Sequence, residues 1–329
     1  MLLIKKTINL IDNYLIARWQ NRPSTALFWY LPEPPTITSE QDLLTYRQIS
    51  HTAPRYLIDY REKLNYRLEN EEGIIVLPYD QPIGQQINPE AAFQYALGLH
   101  DMFCITHKPH YLKHFLHYAK FFLQRQTNDG LWHYDFAWFG SKAPWHSALA
   151  QARGASVMLR AWLQSKDPIY LNSAELAFAK FNKPIEQGGF LCQFSPTGTT
   201  YFEEYPNNPT GVINGFMASL ISIWDLAIRL NKSWLNELWV NGIFSLQKML
   251  PFYTTSWWSL YDLDPETPIK NVNSPRYHLL ELHYLQILSL LSSSNILHQA
   301  YQVRLRQYHN RLFRQRAFLQ KFLRKLLYK

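Results

Sequence analysis

The residues of this chain best suited to moving protons sit in three short stretches. Residues 203–206 read Glu-Glu-Tyr-Pro and set Glu204 beside Tyr205, residues 259–263 read Ser-Leu-Tyr-Asp-Leu around Tyr261, and residues 275–278 read Pro-Arg-Tyr-His around Tyr277. A carboxyl group and a phenol can each take and return a proton, but a phenol with a pKa of about 10 needs a neighbouring cation or donor to act near neutral pH. Arg276 is the nearest cation to Tyr277 in sequence. Taken singly, each tyrosine reads first as a hydrogen-bonded core or groove residue, and Glu203 as a solvated charge ending a strand. Two other constellations compete. Asp135 with Glu203 and Glu204 offers the carboxylate pair of a glycoside hydrolase. His107, His110, His114 and His117 fall mostly on one helix face; without an acidic or thiol ligand at metal spacing they read as polar packing, and no metal or other cofactor is expected.

The three stretches lie in loops rich in Gly, Pro and aromatic residues, and the segments between those loops have helical periodicity. Asn88 as N-cap, Pro89 at the first helical position and Glu90 in the first turn open the first helix. Further helices are expected over 109–126, 145–165, 168–182, 211–230, 232–249, 278–291 and 294–318. Helical hairpins that cannot each bury their own apolar face close into a ring with their long loops at one mouth, so the expected fold is mainly α, an (α/α) toroid of about four hairpins. Residues 1–85 read as an N-terminal extension with an amphipathic helix at its start and a β-hairpin around Glu71, Glu72 and Gly73; residues 86–300 read as the toroid, and 301–329 as a basic amphipathic helix.

Charge sharpens that division. The chain of 329 residues carries 33 Lys and Arg against 25 Asp and Glu, yet nine of the basic residues and none of the acidic ones fall in residues 301–329. The rest is close to neutral, which argues against nucleic acid as a partner. The basic tail reads chiefly as a terminal helix packed on the domain, with docking to anionic lipid or an acidic polymer as the other readings. Cys104 and Cys192 stand alone, so no disulfide framework or zinc site is expected, and charges interrupt the apolar N-terminus, so a cytoplasmic protein is expected, with the inner membrane face as a peripheral site. Eleven Trp and 21 Tyr supply ring faces of the kind that stack on sugars, although most are expected in the core.

Residues 200–226, TYFEEYPNNPTGVINGFMASLISIWDL, resemble the glucuronyl C5-epimerases, in which an acidic pair, Tyr and Pro precede an Asn-Gly-Phe-Met helix start. Similar blocks begin at Trp145, Met249 and Pro275, with a weaker one at Pro89. The resemblance implies an isomerase that converts D-glucuronate to L-iduronate in a heparosan-like acidic polysaccharide. It carries the catalytic neighbourhood onto Glu204, Tyr205, Tyr261 and Tyr277; on these loop blocks Glu204 and Tyr277 are assigned to exchange protons on opposite faces of C5, in either order, with Tyr205 and Tyr261 positioning or relaying. It carries groove or support roles onto Asn214, Gly215, Trp145, Ser147, Gln151, Gln94 and Tyr95. Arg153 and Arg276 are the cations expected to face the substrate carboxylate. The animal members carry a β-rich domain ahead of the toroid for which residues 1–85 leave too little chain, so no metal site or dimer contact of that domain is carried over, and a homodimer stays open. Asp264 stands where the family has Arg, and Arg276 is expected to replace that charge. A polyuronate lyase, which abstracts the same proton, and a non-catalytic glycan-binding toroid are the alternatives.

Overall fold

The computed structural model describes residues 20, 25–30, 33–49, 53–264 and 267–328, so the amphipathic helix expected over residues 1–19 lies outside the described residues. Among the described residues helices α1 (Thr25–Tyr30) and α2 (Glu40–Gln48) come first, α2 opened by a reciprocal cap between Ser39 and Asp42. The expected hairpin is closed by an antiparallel bridge between Glu69 and Ile75. At its turn the Asn70 side chain accepts from the amides of Glu72 and Ile74. Strands β1 (Leu77–Pro78) and β2 (Gln85–Gln86) form a second, two-residue ladder.

Eight helices then make four hairpins. They are α3 (Pro89–Thr106) with α4 (Pro109–Arg125), α5 (Ala148–Ser165) with α6 (Pro168–Leu176), α7 (Ile213–Leu230) with α8 (Ser233–Met249), and α9 (Pro275–Ser292) with α10 (Asn295–His309). The first member of each hairpin lies inside, and α3, α5, α7 and α9 pack side by side in that order. Composition decides the layer. Inner helix α7 is apolar around most of its circumference and almost wholly buried; by length and composition it could cross a membrane, yet it is the core of this fold. Outer helix α4 buries only one stripe, from Phe115 to Phe122.

Connection lengths set which end is open. Each inner helix stops on a left-handed residue, His107, Lys166, Asn231 or Ser293, and turns directly into its outer partner. The long connections, including the antiparallel pair β3 (Leu191–Phe194) and β4 (Thr199–Phe202), therefore collect at the other end, where all four inner helices begin. Aligned helix starts concentrate unpaired N–H groups and positive dipole ends there, which favours an anion.

The arc of four hairpins is an incomplete α/α toroid, and the N-terminal segment reaches both of its ends. The 3-10 turn Arg61–Asn65 packs on α3, where a Cβ on Gly98 would lie 2.5 Å from the Tyr60 carbonyl, and α2 packs on α9. Between them, Tyr56 Oη bonds Ser222 Oγ at 2.7 Å on α7, and its amide donates to Asp101 on α3. Two expected boundaries shift. The helix expected over 168–182 ends at Leu176, and the single helix expected over 294–318 is two, because Asn310 breaks it and caps α11 (Arg311–Tyr328) by accepting from the amides of Leu312 and Phe313. The basic amphipathic helix thus starts at Arg311 and not at residue 301.

Candidate active site

Glu203 and Glu204 leave β4 in opposite roles. Glu203 is fully buried and ties the loop together: it accepts from Tyr201 Oη at 2.9 Å, the Gly211 amide at 2.9 Å and the Tyr205 amide at 3.1 Å. The expectation of a solvated charge is overturned, because three donors converge on this carboxylate. Glu204, 8% exposed, points at the start of α7, and a Cβ on Gly215 would fall 2.3 Å from its Oε2. Glycine is the residue that leaves room for this carboxyl. Burial pushes the Glu204 pKa up to about 8, with Glu203 adding to the rise and Tyr205 and Arg153 opposing it. That value lies where an acid–base group works best.

The three tyrosines gather around it. Tyr205, half-buried, is seated by an aromatic row in which Tyr134 stacks on Trp145 at 4.0 Å and Tyr205 follows Trp145 at 5.6 Å and Phe139 at 4.7 Å. Tyr261 and Tyr277 meet edge to face at 5.2 Å. Burial raises the Tyr205 and Tyr261 phenols well above their ordinary range, and Glu204 raises each further, as does each tyrosine's proximity to Tyr277. A buried polar network holds the last two in place. Asn273 donates to Ser259 Oγ, Leu260 O and Glu281 Oε1, Ser259 Oγ meets His278 Nδ1 at 2.8 Å, and Glu281 pairs with Arg304 at 2.8 Å. This network joins the loop carrying Tyr261 to the helix carrying Tyr277. The structure therefore brings all four candidate catalytic residues together.

The remaining candidates divide. Asn214 is buried in the first turn of α7 with its Oδ1 unpartnered among the described residues, and Gln94 donates to Glu90 at 2.7 Å on α3. Trp145 is 2% exposed, its indole N–H bound to the Phe136 carbonyl, so it supports Tyr205 from beneath. Gln151 is fully buried and braces the backbone of residues 130–132; Ser147 is the buried N-cap of α5. Tyr95 stacks on Tyr118 of the outer helix at 5.4 Å. Of the groove or support roles, Gln151 and Tyr95 take the support role. Arg153 is fully buried, 3.1 Å from Glu90 and 3.4 Å from Tyr284 Oη. Arg276 lies 3.8 Å from buried Glu33, and Asp264 pairs at 2.8 Å with Arg324 of α11.

Sequence reading missed Glu90, Glu33 and Lys63. Glu90 is buried beside Arg153 with its pKa raised well above the carboxylate range, first by burial. Glu33 pairs with buried Lys63 at 2.7 Å, and although burial opposes ionisation, Lys63, Arg276 and Arg153 hold its pKa below the ordinary value. For Glu90 the available signal was a charge set in a run of Ala and apolar residues. Nothing local marked Glu33. Of the rival constellations, Asp135 is exposed; His114 lies against Tyr95 and Tyr118, His117 bonds the Glu72 carbonyl, and His107 and His110 are exposed.

A buried carboxyl with a raised pKa, grouped with three phenols at the mouth of an α/α toroid, is an arrangement able to take up and release protons. Residues 124–306 match the family described as D-glucuronyl C5-epimerase C-terminus, and the chain belongs to that family. It is 33% identical over 168 residues to a D-glucuronyl C5-epimerase of Caenorhabditis elegans, covering 46% of this chain and 27% of that one. It is 31% identical over 169 residues to an uncharacterized protein of Methanocaldococcus jannaschii, covering 50% and 53%. The chain spans about a quarter to a half of the length of these relatives. Among solved structures it is similar to an unsaturated glucuronyl hydrolase of Bacillus sp. GL1 (TM-score 0.45, 16% identity, 67% of this chain and 60% of that one). A family 76 glycoside hydrolase (mannosidase) of Bacteroides thetaiotaomicron gives a TM-score of 0.42 at 12% identity, over 77% and 76%.

Proposed function

We propose that this protein epimerises D-glucuronate at C5 within an acidic, heparosan-like polysaccharide. The observation that carries this reading is Glu204, buried and with a pKa raised to about 8, grouped with Tyr205, Tyr261 and Tyr277 at the mouth where four helices begin. The C5 proton is acidified by the adjacent carboxylate. Ionised Glu204 removes it from one face, the electron pair spreads into the carboxylate as an enolate, and the Tyr277 phenol returns a proton on the other face. Glu204 then holds the first proton and Tyr277 is the phenolate; an exchange of one proton between them resets the site. The Tyr205 and Tyr261 phenols, kept protonated by their raised pKa values, are hydrogen-bond donors to the enolate. Proton NMR of unsulfated glucuronate polymer incubated with the protein in deuterated water tests this. Deuterium at C5 together with iduronate signals is the expected result. Exchange with unsaturated chain ends identifies a lyase, and polymer binding without exchange identifies a glycan-binding module; either outcome ends the epimerase reading.

We also propose that α11 docks on an anionic membrane surface. Leu312, Phe318, Leu319, Leu323 and Leu327 are exposed beside the exposed Arg311 and Arg316, on a helix with no acidic residue. A soluble polyanion would use the charge and leave the leucines in water, whereas a lipid surface uses both. Co-sedimentation with vesicles containing anionic lipid, lost in neutral vesicles and in Leu323→Asp, is the expected result; equal recovery in both lipids ends this reading.

A further inference from the structure

Helix α11 begins beyond residue 306, where the family match ends, yet it lies across the loop that carries Tyr261. Three neighbours on one helix face make the contact. Gln320 Nε2 donates to the Lys270 carbonyl at 3.0 Å, Lys321 Nζ donates to Asn271 Oδ1 at 2.6 Å, and Arg324 donates to Ile269 O, Asp264 Oδ2 and Thr267 Oγ1 at 3.2, 2.8 and 2.9 Å. Asn271 passes the restraint on: its side chain donates to Asp262 at 2.7 Å, and its carbonyl accepts the Tyr261 amide at 2.7 Å. The Lys321 ammonium also stands 4.5 Å from the centre of the Tyr261 ring. A cation over an aromatic face is held by the ring quadrupole, and it is held more strongly as negative charge develops on the phenol oxygen.

We infer that Lys321 is a positioning residue of the active site, delivered from outside the segment that defines the family, which holds Tyr261 in place and favours its donation to negative charge on the substrate. This rests on the epimerase reading. The loop alone would leave Tyr261 tethered by backbone bonds while Glu204, Asp262 and Glu203 all oppose negative charge on it. Lys321 supplies the opposing sign, and the Arg324 pair with Asp264 fixes the helix register that puts it there.

The test compares Lys321→Met and Lys321→Arg in the full chain by C5 exchange against pH, and by amide hydrogen exchange over residues 259–273. Expected is a loss of about tenfold in kcat for Lys321→Met with KM little changed, recovery to within about threefold in Lys321→Arg, and faster amide exchange in the loop for Lys321→Met. Activity of Lys321→Met within twofold of the parent over the whole pH range overturns the inference, as does an equal loss in both variants with a matched fall in Tm. If the parent itself exchanges no C5 proton on any glucuronate polymer, the epimerase reading fails, while the amide exchange still decides whether Lys321 clamps the loop.

Discussion

Arg153 and Arg160 lie about two turns apart on the same inner helix, both fully buried, and are treated differently by the fold. Arg160, toward the closed end, has a partner at every nitrogen: Asp225 at 2.7 Å, the carbonyls of Ser156, Pro54 and Arg55, and Tyr46 Oη, which itself donates to Asp225 at 2.5 Å. Arg153, toward the mouth, reaches Glu90 and Tyr284, but its Nε has no hydrogen-bond partner among the described residues, and neither do Glu90 Oε2, Gln94 Oε1, Glu33 Oε2 and Glu204 Oε2 around it. Buried polar groups are almost always satisfied, so a cluster of exceptions marks where the fold leaves hydrogen-bonding capacity for something else. The Arg160 guanidinium is satisfied at every nitrogen, whereas unpartnered side-chain atoms gather around Arg153.

The sharpest way to break this contrast is at Glu204. Glu204→Gln is expected to lower C5 exchange by about a thousandfold, in the range set by losing an acid–base group. The parent's kcat/KM should rise with pH through about 8 as Glu204 ionises. Stability should move the opposite way. The folded pKa lies above the unfolded value, so the favourable contribution of the bound proton is complete below a pH of about 4.5 and is lost as the pH rises through about 8. Glu204→Gln should therefore be the more stable protein in denaturant titrations above pH 8, by roughly 2–4 kcal/mol. A parent whose stability is flat over that window would show that Glu204 is not the buried, protonated group described.

Arg160→Met tests the closed end, and should cost about 3–4 kcal/mol of stability, because it leaves Asp225 buried without its cation. Arg153→Met should cost markedly less, since Glu90, with its pKa raised by burial, can remain protonated. Denaturation midpoints of the two variants, measured side by side, check the ranking; equal losses would remove the distinction between the ends.

A smaller effect is expected from Gly215→Ala. The added Cβ would meet Glu204 Oε2 at 2.3 Å and its Cβ at 2.9 Å, so the carboxyl must move while the helix start stays put. Displacing a reacting group by about 1 Å costs on the order of 10–100-fold in rate, with little change in Tm. Activity near that of the parent would mean that Glu204 has slack and is not held for catalysis.

How far the sequence exposes this organisation depends on range. Hairpin count, the Asn88 cap and the assignment of chemistry to loops follow from local periodicity and from Gly, Pro and aromatic clusters, which act over a few residues. The grouping of Glu204 with three tyrosines was legible through ordered blocks of family resemblance, not through spacing, since Glu204 and Tyr277 are joined only by tertiary contacts. What stayed hidden was which neighbour each charge would choose. Glu203 and Glu204 are adjacent and chemically identical, and the three donors that capture Glu203 come from Tyr201, Tyr205 and Gly211 in one folded loop. The break at Asn310 was hidden for the opposite reason: Leu and Phe keep helical spacing through it, and only its side-chain cap on Leu312 and Phe313 reveals the stop.

The smallest expected effect sets two tyrosines against each other. Tyr95 and Tyr205 were both candidates, and both are raised above the ordinary phenol pKa first by burial, so neither charge state nor composition distinguishes them. Their neighbours do. Tyr95 sits between α3 and α4 against Tyr118 and His114, whereas the Tyr205 phenol shares its surroundings with Glu204, Tyr261 and Tyr277. Tyr95→Phe keeps the ring contacts and should leave C5 exchange within twofold of the parent, with a stability change of about 1 kcal/mol or less. Tyr205→Phe keeps its stacking on Trp145 and Phe139 but removes a donor to the enolate, and should cost about 10–100-fold in kcat. Single-turnover exchange on the two variants separates them; a large loss in Tyr95→Phe would place substrate along the outer helix, away from the mouth where the four inner helices begin.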